Sequence, residues 1–310
     1  MNYLFTSLLT FTLVLSLASC GEDSSIIISE GSDSDTTSTI PAAPDQPGDW
    51  VFIPANTGGM GLNAFYVMKY EAKAWNDINA DGEIDVGEVD SNGRSVNTAS
   101  HIPISFADNQ PWREISANDS AAECESLGVK YHLISNPEWM AIARDIEDVN
   151  SNWTGGNVGS GCLFRGNSGD TICGYNSATD PDSGAGRNVR AKHTLSTGDE
   201  IFDLAGNLSE WTDWDGSSAG FQTGPTSCAT GWTNLTAVNC GALSSDDYDT
   251  ANGTYTADQG VGRFYGGAGG ASARGGLYFY SSQCGVFSLS FDVLPTSTNQ
   301  GYGFRCVYRP

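Results

Sequence analysis

Residues 201–212 read Ile-Phe-Asp-Leu-Ala-Gly-Asn-Leu-Ser-Glu-Trp-Thr, and this stretch decides the fold. Its Gly-Asn pair lies between two carboxylates, Asp203 and Glu210. A predicted helix over residues 135–144 precedes it, and the strings Arg-Gly-Gly at 274–276 and Gly-Phe-Arg-Cys at 303–306 follow it. Three strings in one order along the chain are more specific than any one of them alone.

Together these strings resemble the formylglycine-generating-enzyme (sulfatase-modifying factor) family. Its usual strings are of the type Leu-Pro-Thr-Glu-Ala-Glu-Trp-Glu, Asp-Met-x-Gly-Asn-Val-Trp-Glu-Trp and Arg-Gly-Gly-Ser-Trp … Gly-Phe-Arg. The resemblance covers residues 49–310. It implies one α+β domain with the C-type-lectin-like fold of that family, rich in loops, with short antiparallel strands and two or three helices.

The resemblance also implies ligands and a crosslink. A calcium ion on the Gly-Asn loop is expected to be held by the side chains of Asp203 and Glu210 and by the carbonyls of Gly206 and Leu208. By the same analogy, a disulfide is expected to join Cys124 and Cys306.

The chemistry of the family is less well preserved. In members that make formylglycine, two cysteines shortly after the Gly-Gly pair bind copper and oxidise a substrate cysteine. Here Tyr280 stands at the first position, and Cys284 lies one residue short of the second. One thiolate does not reproduce a two-thiolate copper site, so we expect no copper and assign no catalytic residue.

Residues 277–302 are rich in Tyr, Phe and Ser and carry a single charge, that of Asp292. Rigid aromatics among small polar residues are typical of binding surfaces, and the segment resembles the variable region of retroelement-diversified proteins that use this fold. The predicted ligand-binding residues are Tyr278, Phe279, Tyr280, Ser282, Asp292 and Tyr302. The alternative is a final core strand, which the alternation of Phe287, Leu289 and Phe291 with serines favours for that part.

A second cluster of acidic residues lies at residues 77–88, which fit the twelve-residue EF-hand loop. The oxygen ligands predicted for calcium are Asp77, Asn79, Asp81, Glu83, Asp85 and Glu88, with Gly82 at the tight turn. The alternative is a solvated acidic turn, since no helix is predicted after the loop. The loop is expected to be an insertion that calcium stabilises.

Seven cysteines follow Cys20. Exported proteins oxidise their thiols, and short separations favour the pairs Cys162–Cys173 and Cys228–Cys240. Because seven is odd, one thiol stays free, and Cys284 is the candidate.

The N-terminus carries a targeting signal. Residues 3–17 form an uncharged apolar run, typical of a signal peptide, and the following Leu-Ala-Ser-Cys resembles the lipobox of bacterial lipoproteins. We predict a signal peptide over 1–19, a lipid on Cys20, an acidic flexible tether over 20–48 and the folded domain over 49–310. An ordinary secretory signal is the alternative.

The charge composition argues against partners that are themselves strongly negative. With 14 Lys and Arg against 37 Asp and Glu, the net charge is −23, which opposes binding to nucleic acid or to an anionic membrane surface. We therefore predict a ligand-binding or display protein of the bacterial cell envelope, on the outer membrane or cell surface. Its only membrane contact would be the lipid anchor, and its partner an unknown protein or glycan. A formylglycine-generating oxidoreductase acting on a sulfatase-type cysteine, and a structural envelope lipoprotein, remain as alternatives.

Overall fold

The computed structural model describes residues 40–216 and 220–310. Within them it has two α-helices, α1 (Ala117–Ser126) and α2 (Asn136–Glu147). The strands are β1 (Trp50–Ile53), β2 (Phe65–Met68), β3 (Ala72–Trp75), β4 (Ile102–Ser105), β5 (Tyr131–Leu133), β6 (Lys192–Thr194), β7 (Glu200–Phe202), β8 (Ser209–Thr212), β9 (Gly231–Asn234), β10 (Arg263–Gly266), β11 (Ala271–Gly275), β12 (Gly285–Val293), β13 (Tyr302–Gly303) and β14 (Cys306–Tyr308).

The larger sheets organise the domain. One has four antiparallel strands in the order β1-β2-β14-β5, and the other has six in the order β13-β8-β11-β12-β10-β9. In the six-stranded sheet, the pairs β13/β8 and β10/β12 are parallel. Two helices, short strands and long irregular connections make an α+β fold, as predicted from the sequence.

Both helices begin at side-chain caps, for which the sequence offers Ser116 at the first helix and either Ser135 or Asn136 at the second. The hydroxyl of Ser116 accepts the N–H of Asp119 at the start of α1. Ser135 and Glu138 form a capping box at the start of α2, so each satisfies an N–H that the first turn leaves free.

The main core forms where α2 packs on the six-stranded sheet. Trp139, Ile142 and Ile146 form the buried stripe of α2, and the Trp139 indole N–H donates to the Val286 carbonyl over 2.7 Å. On β12, the side chains of Phe287, Leu289 and Phe291 are all buried in this core. These three residues therefore belong to the core strand that the alternation predicted.

Three disulfides link the chain, and all three pairings were predicted: Cys124–Cys306, Cys162–Cys173 and Cys228–Cys240. The first ties α1 to β14 across 182 residues of sequence and is buried in the second core cluster. The other two close loops of 11 and 12 residues in the part of the chain with least regular structure. Cys284 is the free cysteine among the described residues.

The compact unit begins at Pro41, earlier than the Asp49 expected from the sequence. The Pro41 carbonyl accepts a hydrogen bond from the Tyr66 hydroxyl, and the Tyr131 hydroxyl donates to Asp45. These contacts hold the last part of the predicted tether against the domain. The predicted signal peptide, Cys20 and tether residues 21–39 lie outside the described residues. Among those described, no helix has the length and apolar character needed to cross a membrane.

Candidate functional site

A cluster of aromatic side chains lies where the six-stranded sheet meets the loop after β11. It consists of Trp232 on β9, Tyr265 on β10, and Tyr278, Phe279 and Tyr280 in the loop, and we call it the aromatic surface. β9 and β10 are antiparallel neighbours that place Trp232 opposite Tyr265. Sheet pairing thus joins three separate chain segments into one surface.

The five rings form a continuous row of edge-to-face contacts. Trp232 lies 5.0 Å from Tyr265 and 5.5 Å from Tyr280, measured between ring centroids. Phe279 lies 5.2 Å from Tyr280 and 5.0 Å from Tyr278. Edge-to-face packing is a favoured arrangement of aromatic pairs, so the rings support one another although Phe279 is 59% exposed.

Asp292 adds a negative charge beside the aromatic surface. Its carboxylate is exposed on β12 and accepts a hydrogen bond from the Ser290 hydroxyl. Burial is the main cause that raises the pKa of the Tyr280 hydroxyl, and the negative charge of Asp292 is the second. The structure thus brings together Tyr278, Phe279, Tyr280 and Asp292 of the predicted set, and half-buried Ser282 follows in the same loop.

Tyr302, also predicted for this surface, is buried instead. Its ring stacks on Trp211 with 4.3 Å between centroids and 17° between planes. Burial, and next the charge of Asp292, raise the pKa of the Tyr302 hydroxyl. Tyr302 is therefore part of the second core cluster and is not exposed to a ligand.

The loop that carries three of the rings is anchored at Cys284. Gly275 and Gly276 both have positive φ, and a Cβ at Gly276 would come within 2.9 Å of the Cys284 sulfur. The Cys284 thiol donates to the Leu277 carbonyl over 2.9 Å. The loop therefore folds closely around a small buried thiol, and the two glycines make this close approach possible.

The same geometry does not fit a copper site. Cys284 is fully buried, and burial raises the pKa of its thiol to about 12. A metal-binding thiol must be deprotonated and paired with further soft ligands. Tyr280 supplies a phenol where the family has its other cysteine.

The EF-hand-like loop at 77–88 is closed by its own hydrogen bonds. Asp77 accepts the N–H groups of Asp81 and Gly82, and Glu88 accepts those of Ile78 and Asn79. The first and last predicted ligands thus close the loop, as the EF-hand spacing requires. Their carboxylate oxygens are hard ligands of the kind that suits calcium. The carboxylates do not converge, however: the described residues contain no cluster of three or more His, Cys, Asp or Glu side chains placed to hold a metal.

The Gly-Asn loop differs from the calcium site that the resemblance implies. Both Glu210 oxygens are bonded to the Arg305 guanidinium, and Asp203 accepts a hydrogen bond from Arg187 Nε over 2.9 Å. The N–H groups of Gly206 and Leu208, whose carbonyls were the other predicted ligands, donate to Gly275 and Glu71. Arginines are thus bonded to both oxygens of Glu210 and to one oxygen of Asp203, whereas Asp203 Oδ1 is buried without a hydrogen-bond partner among the described residues.

Sequence reasoning missed Trp232 and Tyr265. Trp232 lies in the short run Gly-Trp-Thr-Asn and Tyr265 in Arg-Phe-Tyr-Gly, and neither run alternates between apolar and polar residues. Their aromatic residues favour strands, but that signal does not tell which strands pair or which loop lies above them.

The sequence of residues 22–310 matches a known family, that of the sulfatase-modifying factor enzyme 1-like domain. The match covers almost the whole chain and confirms the predicted resemblance. A search of curated proteins gives no match.

Three solved structures are similar at low identity. The Major Tropism Determinant I1 variant is 12% identical with a TM-score of 0.33, and the P3c variant is 14% identical with a TM-score of 0.32. Each similarity covers 79% of this chain and 50% of that chain, so this chain spans half the length of those proteins. Treponema denticola variable protein 1 is 13% identical, with 85% of this chain and all of that chain covered and a TM-score of 0.31. TM-scores this low carry no conclusion.

The buried thiol predicts slow alkylation of Cys284. Because burial raises its pKa to about 12, the thiol stays protonated at pH 8, and iodoacetamide should modify it more than about 100-fold more slowly in the native protein than in urea. Peptide mapping by mass spectrometry measures both rates. A Val129→Cys variant supplies an exposed reference thiol, since Val129 is fully exposed. Equal native rates at positions 129 and 284 would contradict the burial.

Proposed function

The chain belongs to the family of sulfatase-modifying factor enzyme 1-like domains, and from that premise we propose that it is a non-catalytic domain that binds a protein ligand through the aromatic surface. The observation that carries the proposal is the row of five rings from Tyr265 to Tyr278, of which Phe279 is exposed and the other four are half-buried. Trp and Tyr dominate the binding energy of protein interfaces because they bury much area with few rotatable bonds.

The shape of the surface favours a protein over a small molecule. Small ligands take concave sites that enclose most of their area. A cavity of about 390 Å³ lies beside β5, lined among others by Tyr131, His132, Asp213 and Arg309, and it shares no residue with the aromatic surface. The rings lie instead on the edge of the six-stranded sheet and on the loop after β11. Such an open surface suits the flat face of a protein partner.

A non-catalytic role agrees with the chemistry of the loop. The oxidation of a substrate cysteine needs a reactive thiolate or a metal held by several such ligands. Cys284 is buried and bonded to the Leu277 carbonyl, and Tyr280 is committed to the row of rings. Tyr280, at the first cysteine position of the family, and Cys284, one residue short of the second, thus serve here to shape and present a surface.

Removal of single rings should weaken binding. On arrays of extracellular proteins and of glycans, the soluble domain is expected to bind a protein, and Trp232→Ala or Tyr280→Ser should weaken that binding at least about 30-fold, or ~2 kcal/mol. Val129→Ser and Ile172→Ser, at exposed apolar positions outside the aromatic surface, are the matched controls. Unchanged affinity in both ring variants, or binding to glycans alone, would refute the proposal, as would copper-dependent formation of formylglycine in a cysteine peptide.

Calcium binding by the loop at 77–88 is part of the proposal. The hydrogen bonds of Asp77 and Glu88 already close the loop, and the remaining carboxylates would turn inward around the ion. The wild-type protein should bind one calcium ion and Glu88→Gln none, since position 12 supplies the bidentate ligand. Isothermal titration with calcium measures both, with Glu83→Gln as a milder control. A wild-type protein that binds no ion would leave this loop a solvated acidic turn.

We also propose that the domain is tethered to the cell envelope by a lipid on Cys20. The support is the sequence Leu-Ala-Ser-Cys after an apolar run. The expressed full-length protein should fractionate with membranes, and Cys20→Ser should release it. Mass spectrometry of the mature N-terminus gives the direct check, and an unmodified Cys20 in the membrane fraction would rule the anchor out.

A further inference from the structure

Two side chains of opposite charge lie on the same face of the six-stranded sheet as the rings of β9 and β10. On β10, Arg263 and Tyr265 are half-buried, whereas Phe264 between them is buried in the main core. Because side chains alternate along a strand, Arg263 and Tyr265 both point away from that core. Arg263 therefore lies on the outer face of the sheet, two residues before a ring of the aromatic surface.

Asp292 lies beyond the same ring in the opposite direction. β12 runs parallel to β10 and places Ser290 opposite Tyr265. Asp292 follows Ser290 by two residues, is exposed, and accepts a hydrogen bond from the Ser290 hydroxyl, so both side chains lie on the outer face. The ring of Tyr265 thus lies between a positive group on one side and a negative group on the other.

The two charges are too far apart to neutralise each other. Arg263 and Asp292 each lie two residues from the Tyr265–Ser290 pair, in opposite directions along parallel strands. Their Cα atoms are therefore ~13 Å apart along the strands, since extended chain rises ~3.3 Å per residue. The screening length at physiological salt is about 8 Å, so a partner meets two separate charges.

Neither charge has an ionic partner within the chain. Neither Arg263 nor Asp292 takes part in the ion pairs that the described residues form. Arg263 Nε is buried without a hydrogen-bond partner in this described part of the chain. Both groups are thus left to pair with charges from outside the chain.

The rings add a preference for a cation at the end near Asp292. The faces of Tyr and Trp rings attract positive charge, and no Lys or Arg of residues 40–216 and 220–310 lies over the rings of the aromatic surface. The long apolar stem of a Lys or Arg side chain can cover a ring while its charged end reaches a carboxylate. A cation from a partner therefore gains from both Asp292 and the rings.

We infer that the aromatic surface recognises a protein face with a fixed order of charges: Lys or Arg against Asp292, then apolar contact with the rings, then Asp or Glu against Arg263. This inference rests on the proposed function, and it adds the chemistry of the partner and the direction in which it docks. Complementary charges mainly fix the register of a complex and exclude wrong partners.

Selection from a library tests this order of charges. The probe is a small helical domain with one randomised face, displayed on phage and selected on the wild-type protein. Binders that lose affinity at least about 30-fold on Trp232→Ala are kept as ring-dependent. We expect their randomised faces to be enriched in Lys and Arg, and their affinity to fall at least about tenfold on Asp292→Asn. Asp199→Asn, at an exposed carboxylate in the turn between β6 and β7, is the control of equal charge and should leave the affinity unchanged.

An exchange of the two charges tests their order alone. The double variant Arg263→Asp with Asp292→Arg keeps the net charge of the protein, and ring-dependent binders should bind it at least about 30-fold more weakly, since like charges then meet. Equal affinity for the wild type and the exchange variant would overturn the inference and leave the proposed function standing. A selection that gives no ring-dependent binder would overturn both. If the exchange variant does not fold, the Asp292→Asn result decides, and affinity equal to that of Asp199→Asn would overturn the inference.

Discussion

The guanidinium of Arg305 is the contact on which the rest of the domain depends. It donates to both oxygens of Glu210 on β8 and to the carbonyls of Met68 on β2 and Phe202 on β7. One planar group thus joins both main sheets to the strand before the Gly-Asn loop. Such a buried pair adds little net stability compared with apolar packing, but the loss of one partner leaves a buried charge uncompensated. Its effect is therefore to specify one arrangement of these strands.

That arrangement determines where the aromatic surface lies. Glu210 on β8 also lies opposite Arg274 on β11, and β11 ends at Gly275, directly before Gly276 and the loop that carries three of the rings. The loop is further tied down by backbone bonds from Tyr278 to Asn207 and from Ser281 to Ser168. A surface held by a buried framework loses little conformational freedom on binding, which favours affinity.

Much of this fold could be predicted from the sequence, because its signals are local. The capping residues Ser116 and Ser135 mark the helix starts, and the short spacings at 162/173 and 228/240 identify two of the disulfides. The remaining pair, Cys124–Cys306, came from the family resemblance. The candidate site is less predictable because it depends on contacts between distant segments. Trp232 reaches the loop only through the pairing of β9 with β10, and Tyr302 is buried because it stacks on Trp211.

The central claim is that a protein partner contacts the rings around Phe279. The most direct measurement is site-specific photocrosslinking from position 279, compared with position 129, which is also exposed but lies outside the aromatic surface. The account predicts a crosslinked protein from position 279 alone, lost when Trp232 is replaced by Ala. Crosslinks of equal yield from both positions, or from position 129 alone, would contradict it.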